Sequence, residues 1–322
     1  MKGRILLTGA SGFVGAALLS QLRKEDYTVL PVYRRKVEGG FEIGDLSSNT
    51  DWGDALVDID TVIHTAARVH VMEETSADPL AEFRRVNVEG TIKLAQQAAS
   101  AGVRRFIYLS SIKVNGESTD NRAPFSADEQ CDPTDPYGLS KKEAEDGLLE
   151  LAGTTGMEVV VIRPPLVYGP GVKANFQSMM SWLIKGVPLP LGAINNRRSL
   201  VSIGNLIDLI CVCICHPNAA NQVFLVSDDM DISVTDLLRG LSHALGCNTP
   251  LIPVPQLALT SALKLIGKGA VAERLCGSLQ LDIAKTKEQL DWTPPVALGE
   301  GLANTAQAYC QARAPEPAQK ST

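Results

Sequence analysis

The sequence predicts an α/β fold in which a doubly wound parallel sheet is followed by a smaller C-terminal lobe. Its first half alternates strand-like apolar runs with helix-like segments, the pattern of βαβ units with right-handed crossovers. The strand candidates are continuous apolar runs, as expected for parallel strands that are buried on both faces. Beyond about residue 165 the alternation loosens, and Pro and Gly become frequent. We therefore expect a first domain at 1–165, a lobe at 166–312 and a flexible tail at 313–322.

The elements follow from hydrophobic periodicity and from turn residues. Strands are predicted at 4–8, 28–33, 61–65, 105–110 and 158–163, and a strand at 223–226 is expected to rejoin the sheet. Helices are predicted at 13–24, 82–101, 141–152, around 237–245 and through most of 255–281. Gly102 is expected to end the second of these helices, because glycine commonly follows the last helical residue.

Composition excludes several classes of protein. The 322 residues carry a formal charge of −6 without a basic cluster, so we expect no nucleic-acid partner. No apolar run approaches the roughly 20 residues of a membrane helix, and the short apolar N-terminus turns at once into a glycine-rich stretch. Seven cysteines without a CxxC pair argue against a disulfide framework or a zinc site. We expect a cytoplasmic protein with no membrane partner and no metal.

A dinucleotide-binding turn is predicted where the first strand meets the first helix. Gly9 permits the tight turn, Gly12 lets backbone N–H groups approach a pyrophosphate, and Gly15 lets the helix pack closely on the strand. The positive end of the helix favours the phosphates. The spacing therefore indicates a Rossmann-type NAD(P) site, whose further contacts come from Ser11, Phe13 and Val14.

The end of the second strand bears on the choice between NAD and NADP. An acidic residue there would bind the ribose hydroxyls of NAD, but this chain has Arg34 and Arg35, which could hold a 2′-phosphate. We therefore favour NADP, and NAD stays open because a basic loop can be merely solvated. Asp45 and Leu46 follow, where the carboxylate could meet the adenine amino group or could simply belong to a turn.

A tyrosine and a lysine form the candidate catalytic pair. Tyr137 and Lys141 are spaced i and i+4, so they share one face of a helix, and the lysine can lower the pKa of the phenol. Such a tyrosine can exchange a proton with a carbonyl or an alcohol. Upstream, the strand at 105–110 runs into Ser110 and Ser111, at the sheet edge where open α/β sheets bind ligands.

Together these motifs make the chain resemble the extended short-chain dehydrogenases/reductases of the NAD-dependent epimerase/dehydratase family. The matching pieces lie at 8–15, 64–67, 87–91, 109–111, 137–141 and 163–171. The resemblance implies that the catalytic serine is Ser111, five residues before Gly116. It also implies that the cofactor contacts Ala66, Ala67 and Pro164, together with Tyr137 and Lys141. Asn87 is expected to brace the active site through side-chain hydrogen bonds. The resemblance further implies that the protein is a homodimer.

The resemblance leaves the reaction to be chosen. Dehydratases of this type carry Asp-Glu directly after the serine, whereas this chain has Ile112 and Lys113, which argues against dehydration. A 4-ketoreductase uses exchangeable NADPH, and a 4-epimerase holds NAD tightly. Because of the two arginines after the second strand, we expect an NADPH-dependent reductase of a UDP-4-keto-6-deoxy-N-acetylhexosamine for bacterial surface polysaccharide (O-antigen). The alternatives are a UDP-hexose 4-epimerase with bound NAD and a non-catalytic NADP-binding regulatory protein.

The C-terminal lobe is expected to bind the nucleotide sugar. By resemblance, Asn175 and Phe176 would contact the diphosphate or the uridine, and Arg198 would bind the phosphates through its fixed charge. Arg68 and His70 follow the end of the strand at 61–65 and could face the sugar, with Ser111 on the reacting oxygen. A dehydrogenase of an unlinked small alcohol is a further alternative, against which Asn175 and Arg198 argue.

Overall fold

Seven parallel strands form the main sheet. The computed structural model describes residues 3–69 and 78–313, so the predicted tail from 314 onward and His70 lie outside the described residues. The strands are β1 (Ile5–Thr8), β2 (Val29–Tyr33), β3 (Phe41–Glu42), β4 (Thr61–His64), β5 (Arg105–Leu109), β6 (Glu158–Arg163) and β9 (Gln222–Leu225). Their order across the sheet is β3-β2-β1-β4-β5-β6-β9. The chain adds β2 and β3 on one side of β1 and then β4 and the later strands on the other side, so the strand order reverses between β1 and β4. The predicted fold class, a Rossmann-type sheet, is confirmed, and ligands bind such sheets at the point of reversal.

Helices cover both faces of this sheet. The helices around the main sheet are α1 (Phe13–Lys24), α2 (Pro79–Phe83), α3 (Gly90–Ser100), α4 (Pro136–Thr155) and α6 (Ile203–Cys215). Alternate strand residues face opposite layers: Leu6, Val62 and Phe106 pack with α3 and α4 in one core, and Leu7, Ile63 and Ile107 pack with α1 and α6 in the other. Continuous apolar strands thus bury both faces of the sheet.

A three-stranded sheet organises the C-terminal part of the chain. It pairs β7 (Leu166–Tyr168) with β8 (Arg198–Ser202) and β10 (Asp231–Ile232). Around it lie α5 (Ala174–Ile184), α7 (Val234–Ala244), α8 (Gln256–Leu265), α9 (Gly269–Cys276), α10 (Ala284–Leu290) and α11 (Leu298–Gln311). A separate apolar core, which includes Tyr168, Phe176 and Leu241, holds this lobe together.

Several predicted helices have different boundaries in the structure, and the one predicted at 141–152 begins earlier, at Pro136. The helix predicted at 82–101 is divided, because a π-helical turn at Arg84–Glu89 separates α2 from α3. The helical prediction for 255–281 is correct only as far as Cys276, since Leu279 and Leu281 pair with Arg198 and Phe125 in extended conformation. None of the described helices is long and apolar enough to cross a bilayer.

Candidate active site

The glycine turn has the geometry that a dinucleotide needs. Gly9 adopts φ +70, and a Cβ there would lie 2.7 Å from the Ala66 backbone nitrogen. A Cβ on Gly15 would overlap the Gly9 carbonyl oxygen, so the third glycine permits the close approach of α1 to β1. Gly12 differs, because a Cβ would meet only the Gly9 oxygen, at 3.1 Å, and the residue is exposed. The start of α1 therefore presents open space and uncapped N–H groups, which fits a pyrophosphate.

The other predicted cofactor residues surround this turn at the carboxyl edge of the sheet. Ser11 is exposed, and Phe13 and Val14 are half-buried and pack on the core beneath. The Ala66 N–H bonds Thr8 Oγ1 at 3.3 Å, which holds the loop after β4 against the turn. On the other side of the crevice, the Pro164 carbonyl accepts from the Ile112 N–H at 2.9 Å and joins the end of β6 to the end of β5.

The end of β2 is less decisive. Arg34 and Arg35 directly follow the last residue of β2, and both are exposed. Asp45 is also exposed, whereas Leu46 is buried in the core. The two guanidinium groups are thus accessible to solvent at the end of β2.

Ser111 lies beside Tyr137. Its hydroxyl is close enough to the phenol to lower the pKa of Tyr137, and Ser111 Oγ accepts a hydrogen bond from the Lys113 N–H at 3.3 Å. Helix α4 is capped by Asp135, and a Cβ on Gly138 would lie 2.7 Å from the Lys113 carbonyl oxygen. The absence of a side chain at Gly138 therefore lets the start of α4 pack against the turn that carries Ser111.

Burial and neighbouring charge set the proton affinity of Tyr137. Phe83 contacts the ring edge to face, with 5.8 Å between centroids. Burial and, to a smaller extent, the charge of Asp135 raise the pKa of Tyr137 to about 12, although the Ser111 hydroxyl works in the opposite direction. In the absence of ligands the phenol is therefore neutral at physiological pH, and the site needs a positive charge to stabilise a phenolate.

Lys141 can supply that charge. It is only 2% exposed, its Nζ donates to the Leu109 carbonyl at 2.8 Å, and it lies 4.4 Å from the centre of the Tyr108 ring. Burial lowers the pKa of Lys141 to about 7, although the charge of Glu145 works in the opposite direction. A lysine with this pKa can gain or lose its proton near neutral pH, which suits a group that supports proton exchange at Tyr137.

Asn87 connects the loop after β4 to the start of α4. Its side chain exchanges two hydrogen bonds with the Arg68 backbone, at 2.8 and 3.1 Å, and donates to Ser140 Oγ at 3.0 Å. Ser140 in turn donates to the Tyr137 carbonyl at 2.8 Å. Asn87 lies in the π-helical turn, a geometry that often occurs at functional sites. The expected bracing by Asn87 thus takes the form of a link between loop and helix.

A buried polar network behind the site was not expected from the sequence. Ser110 donates to Glu145, whose carboxylate is also bound by Arg163, and Arg163 reaches the Asn115 side-chain oxygen at 3.0 Å. This explains why Ser111 and not Ser110 faces Tyr137, because the Ser110 hydroxyl is already bound to Glu145. A signal existed: Tyr137, Lys141 and Glu145 recur every four residues, so a carboxylate shares the catalytic face of α4.

His64 lies beneath the crevice as a neutral, fully buried side chain. Its ring nitrogens bond Thr8 Oγ1 at 2.7 Å and Thr91 Oγ1 at 3.0 Å. Burial lowers the pKa of His64 to about 3, with a contribution from the charge of Lys141. The histidine therefore joins β1, β4 and α3 and does not take part in proton exchange.

Arg198 and Asn175 are two of the residues of the lobe that are predicted to bind substrate. Arg198 is half-buried and donates to the carbonyls of Arg274 and Gly277 at 3.2 and 3.0 Å. Burial lowers the pKa of Arg198, and the charge of Asp120 works in the opposite direction, although no carboxylate of the described residues lies within 4.0 Å of the guanidinium. Asn175 is exposed at the start of α5.

Phe176 does not fit its predicted role as a side-chain contact to the ligand. It is 1% exposed and stacks on Tyr168, with 5.4 Å between ring centroids, inside the core of the lobe. Phe176 shares the buried side of α5 with Met180 and Leu183, whereas Asn175 is exposed. Arg68 lies beside the catalytic region, with its guanidinium 5.8 Å from the centre of the Phe83 ring and 4.0 Å from Glu82.

Comparisons with known proteins agree with this geometry. The model of the NAD dependent epimerase/dehydratase family matches residues 5–227. A UDP-glucose 4-epimerase of Vibrio cholerae is 51% identical over 318 residues, which cover 97% of each chain. An N-acetyl-alpha-D-glucosaminyl-diphospho-ditrans,octacis-undecaprenol 4-epimerase of Escherichia coli O157:H7 is 25% identical over 95% of each chain.

Solved structures have the same fold. MoeE5 in complex with UDP-glucose and NAD superposes with a TM-score of 0.77, 26% identity and coverage of 97% of this chain and 100% of that one. UDP-glucose 4-epimerase of Thermotoga maritima, bound to UDP-glucose, gives a TM-score of 0.76 at 23% identity, over 96% of this chain and 99% of that one.

These findings correct the expected reaction. The prediction of an NADPH-dependent 4-ketoreductase is wrong, because the relative that shares half of its residues with this chain over nearly its whole length is a 4-epimerase. The prediction failed because it depended on Arg34 and Arg35, two exposed residues that do not contact the reacting groups. The resemblance to the epimerase/dehydratase family is confirmed.

Proposed function

This chain belongs to the NAD dependent epimerase/dehydratase family, and we propose that it is a UDP-hexose 4-epimerase that retains NAD. The contact between Ser111 and Tyr137, with buried Lys141 one helical turn further on, carries this proposal. It supplies proton exchange at a sugar hydroxyl without a dehydratase carboxylate pair, since Ile112 and Lys113 follow Ser111. The 51% identical 4-epimerase supports the choice of reaction, and Arg198 supports a diphosphate in the substrate.

Each residue would have one task. When bound at the glycine turn, NAD supplies reversible hydride transfer. Tyr137 would remove the proton of the C4 hydroxyl and later return a proton to the same oxygen, so the sum of protons is unchanged. Ser111 would hold that oxygen by a hydrogen bond, and Lys141 would stabilise the phenolate while Tyr137 is deprotonated. Inversion requires that the sugar presents its other face between the two proton transfers.

Retained NAD is the cofactor that such a reaction needs, because epimerisation consumes no reductant. MoeE5, with 26% identity, has been solved in complex with UDP-glucose and NAD, which supports this choice of cofactor. The open start of α1 and the loop at Ala66 could bind either NAD or NADP. Arg34 and Arg35 suggest a preference for NADP, and identifying the nucleotide that the purified protein releases tests it.

The test uses the purified full chain. We would denature it, identify any released dinucleotide, and then incubate the folded protein with UDP-galactose and separately with UDP-N-acetylgalactosamine. The proposal expects released NAD and conversion to the C4 epimer without net change in absorbance of reduced nicotinamide. Protein with Tyr137→Phe should release the same nucleotide and convert neither sugar. Stoichiometric consumption of added NADPH, or no conversion of any UDP-hexose, would contradict the proposal.

A further inference from the structure

Most exposed large apolar side chains lie in two segments of the C-terminal lobe. Thirteen such side chains are exposed among residues 3–69 and 78–313, and eight of them fall within 182–187 and 252–271. These eight are Trp182, Ile184, Val187, Ile252, Leu257, Leu265, Ile266 and Val271. The segments adjoin, because Leu189 and Leu251 pair and the Ile252 N–H donates to the Leu189 carbonyl at 2.8 Å. We call these two segments together the apolar face.

Helix α8 gives this face its main feature. It buries none of its residues, whereas α7, of similar length, buries six. The exposed positions of α8 are Leu257, Ala258, Ser261, Ala262, Lys264 and Leu265, which lie along one side of the helix and are apolar except for one serine and one lysine. Leu265 is 87% exposed and Ile266, at the turn that follows, is 65% exposed. Patches of this kind mark interaction surfaces.

The charges around the apolar face identify its partner. Lys185, Lys264 and Lys268 lie within the two segments, which contain no acidic residue. The chain as a whole carries a charge of −6, so this positive region is set against an acidic remainder. A second copy bound through the same face would bring these cations against each other, because a two-fold interface pairs like with like. An anionic lipid surface satisfies both the charge and the apolar side chains.

We propose that the apolar face docks this protein onto an anionic lipid bilayer. Leu265 and Ile266, at the turn between α8 and α9, would enter the boundary between headgroups and acyl chains, with Lys264 and Lys268 on the lipid phosphates. Trp182 would lie at the same interface, which aromatic side chains favour. The contact is peripheral and concerns only the surface of the membrane. It is independent of the reaction proposed above, since no residue of the apolar face belongs to the crevice.

The sequence expectation of no membrane partner concerned long apolar runs. The apolar face was not predicted, because its eight side chains are distributed over short segments, of which α8 has only ten residues. Their exposure, and not their number, distinguishes them from ordinary core residues.

The experiment is sedimentation of the full-length protein with sucrose-loaded vesicles. Vesicles of phosphatidylcholine with phosphatidylglycerol should pellet the protein, and vesicles of phosphatidylcholine alone should pellet it much more weakly. The double variant L265S/I266S should bind roughly tenfold or more weakly, because two large apolar side chains no longer leave water. The double variant K264E/K268E should lose binding as well. Salt at 1 M, where the screening length is about 3 Å, should weaken the binding of the unchanged protein.

Controls keep the result interpretable. Val57→Ser removes an exposed apolar side chain outside the apolar face and should bind vesicles normally. Conversion of UDP-galactose by L265S/I266S should equal that of the unchanged protein, which shows that this variant is folded. Equal binding to both vesicle types, or no binding to either, would overturn the proposal. So would a change of oligomeric state in L265S/I266S on light scattering, since the face would then be covered by a second copy.

Discussion

Arg163 and Glu145 form an ion pair that is almost wholly removed from water, with 2.5 Å between Nη2 and Oε2. Arg163 ends β6, and Glu145 lies one helical turn beyond Lys141 on α4. Because Ser110 also donates to this carboxylate, the pair fixes the end of β5, the end of β6 and the catalytic face of α4 relative to one another. The geometry of the site therefore depends on a buried ion pair.

Replacing Arg163 should destabilise the fold strongly. Arg163→Met leaves the Glu145 carboxylate buried without its cation, and breaking such pairs typically costs about 3–5 kcal/mol in the free energy of unfolding. Urea unfolding followed by circular dichroism measures this. The matched control is Arg239→Met, which breaks an exposed ion pair with Asp236 and should change stability by less than about 1 kcal/mol. Equal effects of the two variants would contradict the importance of the buried pair.

Two glycine-to-alanine changes in helices should have opposite effects. A methyl group at Gly15 would overlap the Gly9 carbonyl oxygen, a backbone atom that cannot move freely, so Gly15→Ala should lower both thermal stability and retained dinucleotide. Gly153 lies within α4 with no atom near a Cβ, and Gly153→Ala should stabilise the protein by about 0.5–1 kcal/mol. Thermal unfolding and measurement of bound nucleotide compare them. A Gly15→Ala protein that retains its nucleotide fully would show that the tight packing of α1 is dispensable.

Strong local signals made the N-terminal half predictable. The Gly9 turn, the apolar strands and the Tyr137–Lys141 spacing each depend on residues close in sequence, so periodicity and motif are sufficient to find them. The division of the helix at Arg84–Glu89 was not predictable in this way. It depends on Asn87 turning inward to bond Arg68 and Ser140, which are distant in sequence.

The lobe shows the same distinction. Phe176 was expected at the ligand because of its position in the resemblance, but its side chain packs on Tyr168, a contact that no single-sequence pattern reveals. The partners of Glu145 were equally hidden, since Ser110 and Arg163 come from two different strands. Tertiary hydrogen bonds and ring contacts thus account for what the sequence left undetermined.

Removing either hydroxyl of the Ser111–Tyr137 contact should slow conversion of UDP-galactose without loss of bound nucleotide. Tyr137→Phe removes the proton-exchanging group, which typically contributes about 10²–10⁴-fold to the rate. Ser111→Ala should reduce kcat less, because the phenol remains. Tyr309→Phe is the matched control. Tyr309 lies on α11, outside the crevice, and its hydroxyl accepts a hydrogen bond from Arg313. Near-normal turnover by the Tyr137→Phe protein would refute the assignment.

Lys141 should make stability depend on pH in the alkaline range. Burial lowers its pKa to about 7 in the folded protein, against an ordinary value of 10.5. Between these values the unfolded chain binds one proton more than the folded chain, so the free energy of unfolding rises with pH, by up to about 1.4 kcal/mol per unit. Relative to Lys141→Met, the unchanged protein should gain about 2 kcal/mol between pH 7.5 and pH 9.5.

Urea titrations of the ligand-free proteins at both pH values measure this difference, and all other titrating groups largely cancel in the comparison. Lys264→Met is the control, because Lys264 is exposed on α8 and its removal should leave the pH dependence unchanged. If the curves of unchanged protein and Lys141→Met ran parallel, Lys141 would titrate like a solvated lysine. It would then be fully charged at neutral pH before any ligand binds, and its proton could not respond to the arrival of substrate at Tyr137.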